Sequence, residues 1–122
     1  MKYYTEEHEW VEVIGDEATV GISEYAASEM GRIVGIELPD ENYDIIVADH
    51  LGEIEFEDDT FELISPVTGT VTQINDQIMD EPEIIIDSPK DKGWICKLEN
   101  IDTSELDDLM TEDEYTKYTE SL

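Results

Sequence analysis

Leu51-Gly-Glu-Ile-Glu-Phe-Glu-Asp-Asp-Thr-Phe-Glu-Leu-Ile-Ser-Pro-Val-Thr-Gly69 alternates apolar and acidic residues on two arms. Ile54 and Phe56 point one way and Glu53, Glu55 and Glu57 the other, which is the period of a half-buried strand. Phe61 and Leu63 repeat the pattern on the second arm. A loop made of Asp58 and Asp59 sets Phe56 opposite Phe61 and Ile54 opposite Leu63, so the large apolar side chains share one face. The same register sets Glu55 opposite Glu62, a like-charge pair that costs a few tenths to about 1 kcal/mol. An Asp-Asp tip is a poor turn, since the favoured two-residue hairpin turn wants positive φ at both central positions. The plainest reading is a solvated edge hairpin with an acidic outer face.

The rest of the chain fits a small, mostly β domain. At 122 residues it is expected to be one domain over 1–122, with a β region over about 1–99 and a helical tail over about 102–122. Residues 10–14 and 18–22 read as strands joined by a three-residue turn, Gly15-Asp16-Glu17. Ser23 is placed to cap a short helix running to Met30, with Gly31 closing it. A strand over 33–38 and a Pro39-led loop follow; residues 43–51 are ambiguous because Ile45-Ile46-Val47 looks like a strand with charged flanks. Strands are expected over 70–74 and 94–98, separated by an irregular stretch over 75–93 that holds Pro82 and Pro89. In the tail, Asp102 with Glu105 and Thr111 with Glu114 have capping-box spacing, and Tyr115, Tyr118 and Leu122 share a helix side. Short strands punctuated by Gly and Pro turns indicate a barrel or sandwich.

Charge excludes several functions. Asp and Glu number 34 against 6 Lys and Arg, a formal net charge of −28. Nucleic acid and anionic membranes are not expected as partners, because no basic patch exists to displace their counterions. A basic protein surface, or a saline milieu, suits the chain better. No stretch approaches the ~20 apolar residues that span a bilayer. The acidic start is unlike a secretion or transit signal, so a cytoplasmic monomer is expected, or one in the mitochondrial matrix if a transit peptide has been removed. Cys96, the single cysteine, reads as a small buried apolar residue.

No catalytic or metal constellation is present in the sequence. His8 and His50 are isolated, and the carboxylate clusters over 55–62 and 80–87 lack the order of a calcium loop. Neither a Ser-His-Asp order nor a phosphate-binding glycine loop occurs, so no enzymatic activity, no catalytic residue and no metal ligand is expected. Trp10 and Trp94 read as core anchors.

Taken in order, His8-Glu-Trp-Val11, Ala18-Thr-Val-Gly-Ile22 with Tyr25-Ala26, Gly31-Arg-Ile-Val34, Glu37-Leu-Pro39, Ser65-Pro-Val-Thr-Gly69 and Gly93-Trp94 resemble the H protein of the glycine cleavage system nearly end to end. The resemblance implies the barrel-sandwich hybrid of lipoyl and biotinyl domains, with a short helix after the first hairpin and helices at the C-terminal end. It implies further a lipoate held in amide linkage on a lysine at the hairpin tip. That arm shuttles an aminomethyl group from a pyridoxal-dependent decarboxylase to a folate-dependent transferase, and then meets the lipoamide dehydrogenase. By this resemblance the lysine position is Asp58, with Glu55, Asp59 and Glu62 as hairpin neighbours, and Ile86 and Lys90 also depart from the family pattern. No lysine occurs from residue 33 to residue 89, and a carboxylate cannot form the amide.

The expectation is therefore a chain without cofactor: a non-lipoylated homologue that binds glycine cleavage components or a lipoyl ligase as a scaffold or regulator. An acidic module for basic proteins or divalent cations, and a conventional carrier, are the alternatives. One prediction depends on charge alone. Self-repulsion at −28 should relax as the Debye length falls from about 30 Å at 0.01 M salt to about 3 Å at 1 M, so the melting temperature should climb with sodium chloride. A flat thermal-shift series would contradict it.

Overall fold

The computed structural model describes residues 2–29, 32–57 and 59–121. Among them, nine strands form two antiparallel sheets that do not close into a barrel, as the resemblance implied. The larger sheet contains β1 (Lys2–Tyr4), β2 (Glu9–Ile14), β3 (Glu17–Ile22), β9 (Cys96–Glu99), β8 (Gly69–Ile74) and the edge strand β5 (Asp44–Ile45), in that spatial order. The smaller sheet orders β4 (Ile33–Glu37), β6 (His50–Phe56) and β7 (Asp59–Ile64). Their inner faces meet in one core that includes Val11, Val20, Ile54, Leu63, Val71 and Leu98.

The first hairpin is tighter than expected. Ile14 pairs with Glu17, so only Gly15 and Asp16 form the loop, and Gly15 takes a φ of 65°. Glycine makes that conformation inexpensive, which allows the two-residue connection. One strand on, Trp10 lies over Gly21, where a Cβ would come within 2.4 Å of the indole. The indole Nε1 donates to Pro89 O at 2.9 Å, tying the hairpin to the loop before β9.

Helices fill the ends of the sandwich. Helix α1 (Glu24–Glu29) starts where Ser23 Oγ accepts from Ala26 N at 3.1 Å; the expected end at Met30 and Gly31 lies outside the described residues. The stretch over 75–93 is not irregular throughout. It holds α2 (Asp76–Asp80), capped by Asn75, and α3 (Ile84–Asp87), which bury Ile78 and Ile85. Each is too short for a full helical repeat to show in sequence, and Pro82 separates them. Residues 43–51 contain only the two paired residues of β5 and a turn before β6 begins. The last strand starts at Cys96 rather than at Trp94, whose ring instead borders the cluster of Tyr4, Trp10 and Tyr115.

The tail begins with a 3-10 helix over Thr103–Asp108. Asp102 caps it by accepting from Ser104 N, but Glu105 does not turn back to complete a capping box. Its carboxylate accepts from Thr68 N at 2.6 Å and from Thr68 Oγ1 at 2.9 Å, because a long-range partner is within reach. The box at Thr111 and Glu114 is complete and opens α4 (Glu112–Glu120), and these bonds hold the Glu114 carboxyl below its ordinary range. Tyr115 docks this helix: its ring stacks on Tyr4 at 4.5 Å, and its hydroxyl shares hydrogen bonds with His8 Nδ1 at 2.8 Å and Ser23 Oγ at 2.7 Å. Tyr118 lies beside it, while Leu122 lies outside the described residues. Among the described residues no helix is long and apolar enough to cross a membrane.

Glu9 joins the two sheets. It is fully buried at the head of β2, and its Oε2 accepts from Ile64 N at the end of β7 at 2.8 Å, while Oε1 has no partner among the described residues. Burial raises the Glu9 carboxyl well above the ordinary carboxylate range, against the lowering effect of the Ile64 bond. A raised folded-state value means that stability is fully present below the unfolded carboxylate pKa of about 4.3 and is lost as pH rises through the folded value. Glu9→Gln keeps an acceptor for Ile64 and cannot ionise. The variant should gain on the wild type by up to about 1.4 kcal/mol for each pH unit climbed above ~4.3, until the folded value is passed. Denaturant unfolding of both proteins over a pH series measures this, and parallel stability profiles would refute it.

Candidate functional site

Strands β6 and β7 form the hairpin that the alternation foretold, but with its register shifted by two residues. Phe56 pairs with Asp59, leaving Glu57 and position 58 as the connection, so the loop is not Asp58-Asp59. Ile54 faces Phe61, Glu55 faces Thr60, and Glu53 rather than Glu55 faces Glu62. A shift of two leaves every side chain on its expected face, which is why the inward and outward assignments hold. Ile54 and Leu63 are fully buried.

Matching large residue against large residue mistook the register because Leu63 pairs with Gly52, across a bulge at Leu51. Gly52 is required there: a Cβ would sit 2.3 Å from Glu37 O on β4. Leu63 thus packs over a position without a side chain, and the apolar faces still close. Glu57 N donates to Arg32 O at 3.1 Å, which fastens the tip to the chain entering β4. Asp58 lies outside the described residues.

The outer face carries its acids in rows. Glu37 pairs with Glu53, and Glu53 with Glu62, placing three carboxylates side by side across β4, β6 and β7. Glu55 extends the exposed outer face toward the tip, while Asp59, paired with Phe56, is exposed on the opposite face. No lysine or arginine lies between Arg32 and Lys90 in the sequence. Lys90 reaches Glu24 at 3.6 Å, Lys2 lies over Trp10 and Lys97 over Trp94, all away from the hairpin. Glu9 supports the hairpin from beneath through Ile64.

Chemically, the outer face presents the carboxylates of Glu37, Glu53, Glu55 and Glu62. Among the described residues, no three His, Cys, Asp or Glu side chains come together as metal donors. His8 is held in the tyrosine cluster, where burial lowers its pKa, and His50 is exposed on β6. Cys96 is buried, and burial followed by the nearby Glu9 pushes its thiol up to about 12, so it is not a thiolate near neutral pH. Sequence reasoning left residues 43–51 ambiguous because the three β-branched residues Ile45, Ile46 and Val47 look like a strand; in the structure Tyr43, Ile46 and Val47 are exposed.

Comparison with known proteins agrees over the whole length. The family model described as glycine cleavage H-protein matches residues 2–122. A glycine cleavage system H protein of Staphylococcus carnosus is 45% identical over 112 residues, covering 92% of this chain and 89% of that protein. Glycine cleavage system H protein 4 of Aquifex aeolicus is 41% identical over 121 residues, covering 99% of this chain and 71% of its own length. The crystal structure of a glycine cleavage system H protein from Mycobacterium marinum superposes with a TM-score of 0.87 at 27% identity, covering 97% of this chain and 95% of that one.

These matches correct the expectation that the chain has no cofactor. Its relatives are glycine cleavage H proteins, a family of lipoate carriers rather than catalysts, and nothing in the matches indicates that lipoate has been lost. The chain's own residues bear only on the linkage: with no lysine from 33 to 89, the hairpin lacks the amine that the family's amide needs. Matched by the family model over residues 2–122 and sharing its fold with a solved member, the chain belongs to the glycine cleavage H-protein family.

Proposed function

We propose that the chain serves glycine cleavage as a protein-binding H-protein homologue. In this reading it engages the system's enzymes, or a lipoyl ligase, through the shape that the family shares, in place of ferrying an aminomethyl group on a hairpin lysine. One observation carries the reading: an H-protein scaffold matched over 2–122 whose hairpin sequence contains no amine. The sequence between Arg32 and Lys90 has many acids and no lysine or arginine, so recognition there is electrostatic toward a basic partner surface. In this proposal Asp58 occupies, in sequence, the position that the family's lysine holds, with Glu55, Asp59 and Glu62 as its acidic hairpin neighbours. Residues 1–122 act as one unit, working as a monomer inside the cell.

Titration calorimetry against the decarboxylase, transferase, dehydrogenase and lipoyl ligase should show binding to at least one, weakening as salt rises. Native protein that accepts and hands on a methylamine unit in the reconstituted system would end the reading. A gain-of-function test accompanies it. Asp58→Lys, co-expressed with a lipoyl ligase, should gain one lipoyl group by intact mass, because the variant supplies the missing ε-amine on an H-protein hairpin. A variant that stays unmodified would show that the hairpin is not presented as a ligase substrate.

A further inference from the structure

Beyond β5 the chain makes a turn over 46–49 at the open edge of the larger sheet. Three large apolar side chains stand exposed along five residues here: Tyr43 at 53%, Ile46 at 62% and Val47 at 38%. Ile45 between them is buried and anchors the segment. The turn is rigidly held, with Asp49 N donating to Ile46 O at 3.0 Å, Val47 N to Thr68 Oγ1 at 3.0 Å and Ala48 N to Ser65 O at 2.9 Å. Ser65 N returns a bond to Asp49 O at 2.9 Å. Ala48 sits at a φ of 73°, a left-handed conformation that disfavours a non-glycine residue and persists where neighbours overdetermine it.

Exposed Ile and Val on a braced turn are not a solvation device. A preorganised apolar centre within a polar rim has the anatomy of a binding hot spot, since little ordering is left to oppose association. Its neighbours in sequence include four exposed acids, Asp40, Glu41, Asp44 and Asp49, with Asn42 and His50 exposed beside them and no lysine or arginine. That rules against a second copy of a chain carrying −28, and it selects a partner with apolar recesses bordered by Lys and Arg. We infer that Tyr43, Ile46 and Val47 are the anchor by which this chain docks a basic partner protein, and, resting on the proposed function, that the partner is a glycine cleavage component.

The test uses the full chain, with the decarboxylase, transferase, dehydrogenase and lipoyl ligase as probes. An Ile46→Ser, Val47→Ser double variant should keep the wild-type melting temperature and lose roughly tenfold or more in affinity for the component that the wild type binds. Asp40→Lys with Glu41→Lys should slow association and flatten its salt dependence. Equal affinities for wild type and the serine variant would overturn the anchor and leave the proposed function standing. Binding of the wild type to none of the four would overturn both. Sedimentation showing wild-type dimers that the serine variant abolishes would replace the basic partner with a second copy.

Discussion

The hydrogen bond from Ile64 N to the buried Glu9 carboxyl holds this structure in its arrangement. It joins the first strand of the long hairpin in the larger sheet to the last residue of the acidic hairpin in the smaller one. The half-buried backbone amide of Ile64 would otherwise lose that partner, and leaving such an amide unmet opposes the fold. A carboxyl reaches it where an apolar side chain cannot. The consequence is a titratable group in the core whose second oxygen is unmatched among the described residues, so the same residue that registers the sheets also opposes its own ionisation.

Charge on the outside follows from a related constraint. Strand alternation forces each inward apolar residue of β6 and β7 to be paid for with an outward one, and in this chain the outward residues are mostly acids, Glu53, Glu55 and Glu62. Side-by-side glutamates such as Glu37, Glu53 and Glu62 weaken strand pairing, yet the sheet forms because its inner face buries Ile54 and Leu63 completely. Burial of two such side chains contributes about 3–6 kcal/mol, which exceeds the like-charge penalty of about 1 kcal/mol per pair.

Sequence carried the faces of the hairpin better than its register. Period two is local, so Ile54 and Leu63 are legible as inward residues wherever the partner strand lies. Register depends on what stands opposite, and the decisive contact, Gly52 against Glu37 O, involves a third strand distant in sequence. The same distinction separates the two caps of the tail. Thr111 and Glu114 close a box within one turn and were legible, whereas Glu105 leaves its local partner for Thr68, a choice set by tertiary proximity. Helices α2 and α3 were hidden because four or five residues cannot display a period of 3.6. At the candidate site, the identity of residue 58 and the acidity of its neighbours were plain from the sequence, while the row joining Glu37 to Glu62 through Glu53 required the sheet.

Two kinds of surface therefore sit on one scaffold. The acidic face of β4, β6 and β7 acts at long range and weakens with salt, which gives it steering power but little hold. Exposed Ile46 and Val47 act only on contact, and their contribution comes from area removed from water, which salt does not screen. A partner drawn by the first and seated by the second would show an association rate that depends steeply on ionic strength and a dissociation rate that does not. Neither surface requires an amine at position 58. A family scaffold whose hairpin lacks that amine thus retains what protein recognition needs, since shape, field and an apolar anchor are all properties of the folded chain rather than of a group attached to it.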